Sequence, residues 1–223
     1  MPSDTSTLGV FRSYDGEVVW YRDANGLLQE LPPPARDGWR ADDRHRALAR
    51  ALDRFGLWNH LGAGARTAAA AEVATGCYPL KFDLLYGFVE FHADGESLAE
   101  GGVERFLHEI APALERHGLG LRVEQIEQPY RWPDHRDYVL SINGLRCVIW
   151  TLEEEYPWDA STVRPLATVN QLLAAAGSPV RAHTLYAGAN GGLVFLMDPR
   201  VADAIRASGL MPDREIPALA VAT

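Results

Sequence analysis

The chain has 223 residues, 47% of them hydrophobic, with 21 Lys plus Arg set against 30 Asp plus Glu. That hydrophobic share supports one good core with a small appendage, and the formal charge of −9 repels a phosphate backbone, which excludes nucleic acid as the expected partner. No run approaches the roughly 18 to 20 apolar residues of a membrane span, and residues 1–16 lack the basic segment and apolar run of a signal peptide, so a soluble cytoplasmic protein is expected.

Residues 9–31 (GVFRSYDGEVVWYRDANGLLQEL) set the turn pairs Asp15-Gly16 and Asn25-Gly26 between short runs rich in Val, Trp and Tyr, the pattern of a three-stranded meander. Pro32, Pro33 and Pro34 then make a stiff connector. Residues 1–34 are therefore expected as an N-terminal β-meander extension and residues 35–223 as the main domain.

Residues 42–55 place Leu48, Ala51, Leu52 and Phe55 on one helical face, with Asp42 as N-cap and Gly56 past the end. His45 falls on the polar face of that helix and is expected to be solvated, as are His108 and His117 on a later one. The alanine-rich stretch 64–75, ending at Gly76, favours a second helix.

From residue 81 strands alternate with helices. KFDLLYGFVEFH (81–92) reads as a strand. Residues 102–118 set Val103, Phe106, Leu107, Ile110, Ala111 and Leu114 on one stripe, with Pro112 expected to bend the helix. A strand over 121–128 and a hairpin over 138–150 follow, then a helix over 161–177 with Ser161 as N-cap and Gly177 as its stop. A second hairpin over 180–198 turns through residues 189–192, and a last helix runs from Asp198 as cap through Pro199 to Gly209. The order predicts an α+β fold: an antiparallel or mixed sheet with helices packed mainly on one face, plus the small N-terminal β-meander.

The two-residue Asn143-Gly144 loop predicts type I′ geometry, which pairs Ile142 with Leu145 and fixes every further pair. Leu140 then faces Cys147 and Tyr138 faces Ile149 on the core side, while Ser141 faces Arg146, Val139 faces Val148 and Asp137 faces Trp150 on the other. A core-facing Cys147 has its thiol pKa raised and is no nucleophile. Cys77 and Cys147 stand 70 positions apart in sequence with no CxxC or His spacing, so neither belongs to a structural zinc site.

The same register brings the loops 128–137 and 153–161 side by side at the open end of the hairpin. One carries Tyr130, Trp132, Asp134 and His135, the other Glu153, Glu154, Glu155, Tyr156, Trp158 and Asp159. Aromatic and acidic side chains on loops held by a scaffold suit a binding surface. Against this stands the plainer reading of a solvated strand end with turn-shaping prolines. Consecutive glutamates on a strand alternate in direction, so only Glu153 and Glu155 are expected to share a side.

For binding, the expected residues are Tyr130, Trp132, Glu153, Glu154, Glu155, Tyr156, Trp158 and Asp159. For chemistry, His135, Asp134 and His92 are the acid-base candidates. Glu90, His92 and Asp94 would make a carboxylate, imidazole, carboxylate ligand set if the strand ran that far, which a turn at 93–95 would break. The glycine-rich YAGANGGLVF (186–195) lacks a phosphate-loop pattern and reads as a plain hairpin turn. No pattern names a cofactor or an oligomeric state.

The expectation is a soluble acidic protein-binding module of the immunity or inhibitor type, engaging a basic protein through the aromatic and acidic loops. The alternative is an enzyme, a hydrolase or small-molecule modifying enzyme, using His135 or His92 with nearby carboxylates and a divalent metal.

Overall fold

The structure, a computed structural model, describes residues 10–12, 19–22, 28–30, 40–127, 137–211 and 213–221. These divide into two compact units: Met1–Leu85 with Arg200–Ile216, and Tyr86–Pro199 with Pro217–Thr223. Helices combine with sheets whose strand pairs run antiparallel, which makes the fold α+β. Among the described residues no helix is long and apolar enough to cross a membrane.

In the first unit, strands β1 (Val10–Arg12), β2 (Val19–Arg22) and β3 (Leu28–Glu30) pair antiparallel in sequence order, the expected meander. The turn pairs Asp15-Gly16 and Asn25-Gly26 and the three prolines lie outside the described residues. Helix α1 (Asp43–Arg54) starts where Asp42 caps it: the carboxylate accepts from the Arg44 backbone N–H at 2.9 Å. His45, expected in solvent, is instead only 3% exposed and closes the capping box, its Nδ1 lying 3.2 Å from the Asp42 backbone N. Burial works against it, but the bonds from Arg44 and His45 hold the Asp42 carboxyl well below the usual carboxylate range. The buried face of α1 is accordingly His45, Leu48, Ala49 and Leu52.

Helix α2 (Ala63–Ala74) packs on α1, and Arg66 reaches the Asp53 carboxylate across the pair. The stretch 81–92 is not one strand. It splits into a single helical turn α3 (Phe82–Leu85), a turn at Gly87 with φ +73°, and the short strand β4 (Glu90–His92) that belongs to the second unit. The physical reason is Gly87: a left-handed backbone position ends any extended run.

The second unit holds two antiparallel sheets. After a helical turn α4 (Gly95–Ser97) and a kinked turn Leu98–Gly102, helix α5 (Val103–Arg116) buries Val103, Phe106, Leu107, Ile110, Ala113 and Leu114. The stripe is the expected one with Ala113 in place of Ala111, and α5 runs on through Pro112. Strands β5 (Val123–Glu127), β6 (Tyr138–Ile142) and β7 (Leu145–Trp150) form one sheet. Helix α6 (Trp158–Ala175) follows and packs against β7 and against β8 (Arg181–Leu185), so it lies between the two sheets. It begins at Trp158 rather than Ser161, which sits buried in the first turn with its hydroxyl on the Pro157 carbonyl at 2.7 Å.

The second sheet has the order β10, β8, β9, β4, where β9 is Leu193–Met197 and β10 is Ala218–Leu219. Helix α7 (Pro199–Ser208) lies between β9 and β10 in the chain. The core of this unit gathers the apolar residues of α5, α6, β6 and β7 with Phe91, Val194, Leu196 and Ala182. Those four sheet residues point to one face; Glu90, Phe195 and His183 are in register on the other.

Candidate functional site

The β6–β7 hairpin turns as its sequence dictates. Asn143 at φ +50° and Gly144 at φ +82° supply the two left-handed positions of a type I′ turn. Ile142 pairs with Leu145, Ser141 with Arg146, Leu140 with Cys147 and Val139 with Val148. Leu145, expected on the core side, is exposed at the turn. Beyond Val139 a bulge shifts the register, so Tyr138 pairs with Trp150 rather than Ile149, and both rings are buried, edge to face with centroids 6.5 Å apart. The shift has a use. Tyr138 O–H donates to the Gly101 carbonyl at 3.1 Å and the Trp150 indole N–H to the Ala99 carbonyl at 3.0 Å, so the pair holds carbonyls of the kinked turn. Cys147 is buried with the Thr168 hydroxyl at 3.4 Å, and burial pushes its thiol up, the environment of an inert cysteine.

The three glutamates do not lie on the strand, which ends at Trp150. They occupy the turn between β7 and α6, and they divide by role. Glu154 Oε1 accepts from the Thr151 backbone N–H at 3.2 Å and from Arg164 Nη1 at 2.7 Å, while the same Arg164 nitrogen donates to the Ile149 carbonyl at 3.1 Å. This pair ties the turn to α6 and to the strand behind it. Glu153 and Glu155 are left exposed, as is Asp159 in the first turn of α6, where its charge favours the helix dipole. Between them stand Leu152, Tyr156 and Trp158, 54%, 81% and 43% exposed. Among the described residues, Glu153, Glu155 and Asp159 form no ion pair.

Tyr130, Trp132, Asp134 and His135 lie outside the described residues. At the edge of that loop Asp137 Oδ1 accepts from the Leu152 backbone N–H at 3.0 Å.

The turn after β7 has a second neighbour that the sequence reading passed over. The loop 186–192 between β8 and β9 folds onto the start of α6: Gly188 N–H donates to Thr162 Oγ1 at 3.3 Å, and a Cβ on Gly188 would stand 2.9 Å from the Asp159 backbone N. Gly95 approaches Gly188 as closely from the other side, where a Cβ would meet its carbonyl at 2.5 Å. Tyr186 opens this loop, exposed and at φ +56°, a conformation uncommon for a tyrosine. The glycines of YAGANGG were the signal: they permit backbone to touch backbone, which a plain hairpin turn does not require.

Glu90, His92 and Asp94 do not converge. Strand β4 ends at His92, and the Asp94 carboxylate turns back to cap α4 by accepting from the Ser97 backbone N–H at 2.7 Å, a bond that holds its carboxyl below the ordinary value. Glu90 is 2% exposed, and burial pushes its carboxyl up to about 7. Among the described residues no group of three His, Cys, Asp or Glu side chains is placed to hold a metal ion. His92 and Asp94 instead share the lining of a cleft with the start of α5. Comparison of the chain with protein-family models, with curated proteins and with solved structures finds no match.

Proposed function

We propose that the protein is a cytoplasmic binding module that engages a basic polypeptide through the turn between β7 and α6, in the manner of an inhibitor or immunity protein. One observation carries this reading: Leu152, Tyr156 and Trp158 stand exposed beside Glu153, Glu155 and Asp159, which pair with no cation among the described residues, on a turn braced by Glu154 and Arg164. Aromatic side chains have few torsions to order on contact and bury large areas. Unneutralised carboxylates around them attract an arginine- or lysine-rich surface and disfavour an acidic one. The net charge of −9 adds long-range steering toward the same class of partner. Tyr186, on the loop folded against Asp159, extends the surface.

The test is capture from lysate of the source cell at low and moderate salt, by wild type and by a Tyr156→Ala, Trp158→Ala double variant. The expected result is a basic protein retained by wild type, weakened as salt rises, and lost from the double variant. Capture that is indifferent to both salt and the aromatic pair would refute the assignment.

A further inference from the structure

A cleft of about 420 Å³ opens in the second unit where β4 ends, beside the kinked turn and the first two turns of α5. That volume falls in the range of small-ligand sites, about 300 to 1,000 Å³. Its lining carries both signs of charge, Arg105 on one side and Asp94 and Glu109 on the other, with Leu98 and Phe106 supplying apolar surface.

Two features separate this cleft from an ordinary surface groove. Arg105 and Glu109 stand four residues apart on α5, the spacing at which a helix pairs opposite charges. They form no ion pair, with each other or with any described residue. A guanidinium fork and a carboxylate thus line one cavity, each with its full capacity to bind something else. The second feature is the irregular backbone at the edge of the cleft. Gly101, at the kink between two helical segments, is at φ +105°, and any Cβ on Gly102, itself part of the lining, would strike the Ser97 carbonyl at 2.5 Å. Tyr138 and Trp150 both spend their polar groups on carbonyls of this turn. Two large buried side chains are therefore committed to holding an irregular, kinked turn in place beside the cleft.

We infer that the cleft binds a small zwitterion, an amino acid with an apolar side chain: its carboxylate meets the Arg105 fork, its ammonium meets Glu109 and Asp94, and its side chain rests on Leu98 and Phe106. The assignment is independent of the basic-partner surface, because none of these residues belongs to that turn.

Calorimetric titration of the full chain with L-phenylalanine, 3-phenylpropanoate and phenethylamine tests it. The last two each lack one of the charged groups. Saturable binding of L-phenylalanine is expected, at least about tenfold tighter than either half-analogue, as one charge-assisted contact is worth. Arg105→Ala should bring L-phenylalanine down to the affinity of the amine, and Glu109→Ala to near that of the carboxylate. Both residues are exposed on α5, so loss of fold is not at issue, and the Tyr156→Ala, Trp158→Ala variant should bind as wild type does. No saturable binding, or equal binding of a half-analogue, would overturn the inference.

Discussion

Asn170 lies in the middle of α6, 8% exposed, and every polar atom of its side chain is used. Its Nδ2 donates to the Ala182 and Ala220 carbonyls, each at 2.9 Å, and its Oδ1 accepts from the Ala182 backbone N–H at 2.6 Å. One side chain thus joins a helix, strand β8 and the segment after β10. Asn170→Ala removes all three bonds and leaves buried backbone groups unsatisfied, an expected loss of about 3 kcal/mol. A urea titration of wild type and variant measures it, and a midpoint unchanged by the substitution would contradict the role. His45 teaches the same lesson in reverse. Helical periodicity assigned it to the polar face, yet it is buried as half of a capping box, because position N3 answers to the cap and not to the face.

Backbone geometry decides the candidate site at the scale of elements. Gly188→Ala puts a Cβ 2.9 Å from the Asp159 backbone N at a φ of +76°, so the loop 186–192 must lift away from the start of α6. A cost of about 2 kcal/mol is expected from the lost conformation alone. Partner capture should weaken with it, because the backbone of Trp158 and Asp159 loses the loop packed against it. Unchanged stability in a thermal melt would count against the packing described. The β6–β7 register was legible because a two-residue Asn-Gly turn leaves one alignment for the pairs nearest it; the slip at Tyr138 was not, since a bulge leaves no mark on alternation. Residues 81–92 misled for a related reason: an apolar run of that length suits a strand, and only the left-handed Gly87 divides it. Half of the candidate site was legible in the same sense. Clustered acids and aromatics announce a surface, whereas the contact of Gly188 with Trp158 and Asp159 joins residues far apart in sequence.

For the whole molecule, the pH response of stability should carry the signature of Glu90. Its carboxyl has an ordinary value of 4.5 and is pushed up by burial to about 7, so between those values the folded chain binds more protons than the unfolded one. Stability contributed by the bound proton is then fully present below 4.5 and is lost as pH rises through 7. Glu90→Gln has no proton to lose. Relative to the variant, wild type is expected to lose on the order of 3 kcal/mol across that interval, measured as the divergence of their unfolding midpoints with pH. Parallel pH profiles would place the carboxylate in a wetter setting than its 2% exposure implies. The surplus of acids acts in the same direction, since self-repulsion grows as the carboxyl groups ionise.

The strand β10 pairs with β8 through Ala218 and Leu219, and the Ala220 N–H closes on the Ala182 carbonyl. This seam carries a consequence for the chain as it is being made. A ribosome that has released β8 and β9 has yet to release the partner of β8, which begins at Ala218, beyond α7, whereas β9 ends at Met197. During that interval β8 is an open edge in a nascent polypeptide, with backbone groups free to recruit a strand from a neighbouring chain. A message cut short after Pro199 would fix that transient state permanently, and its product would be marked for aggregation or for the protease.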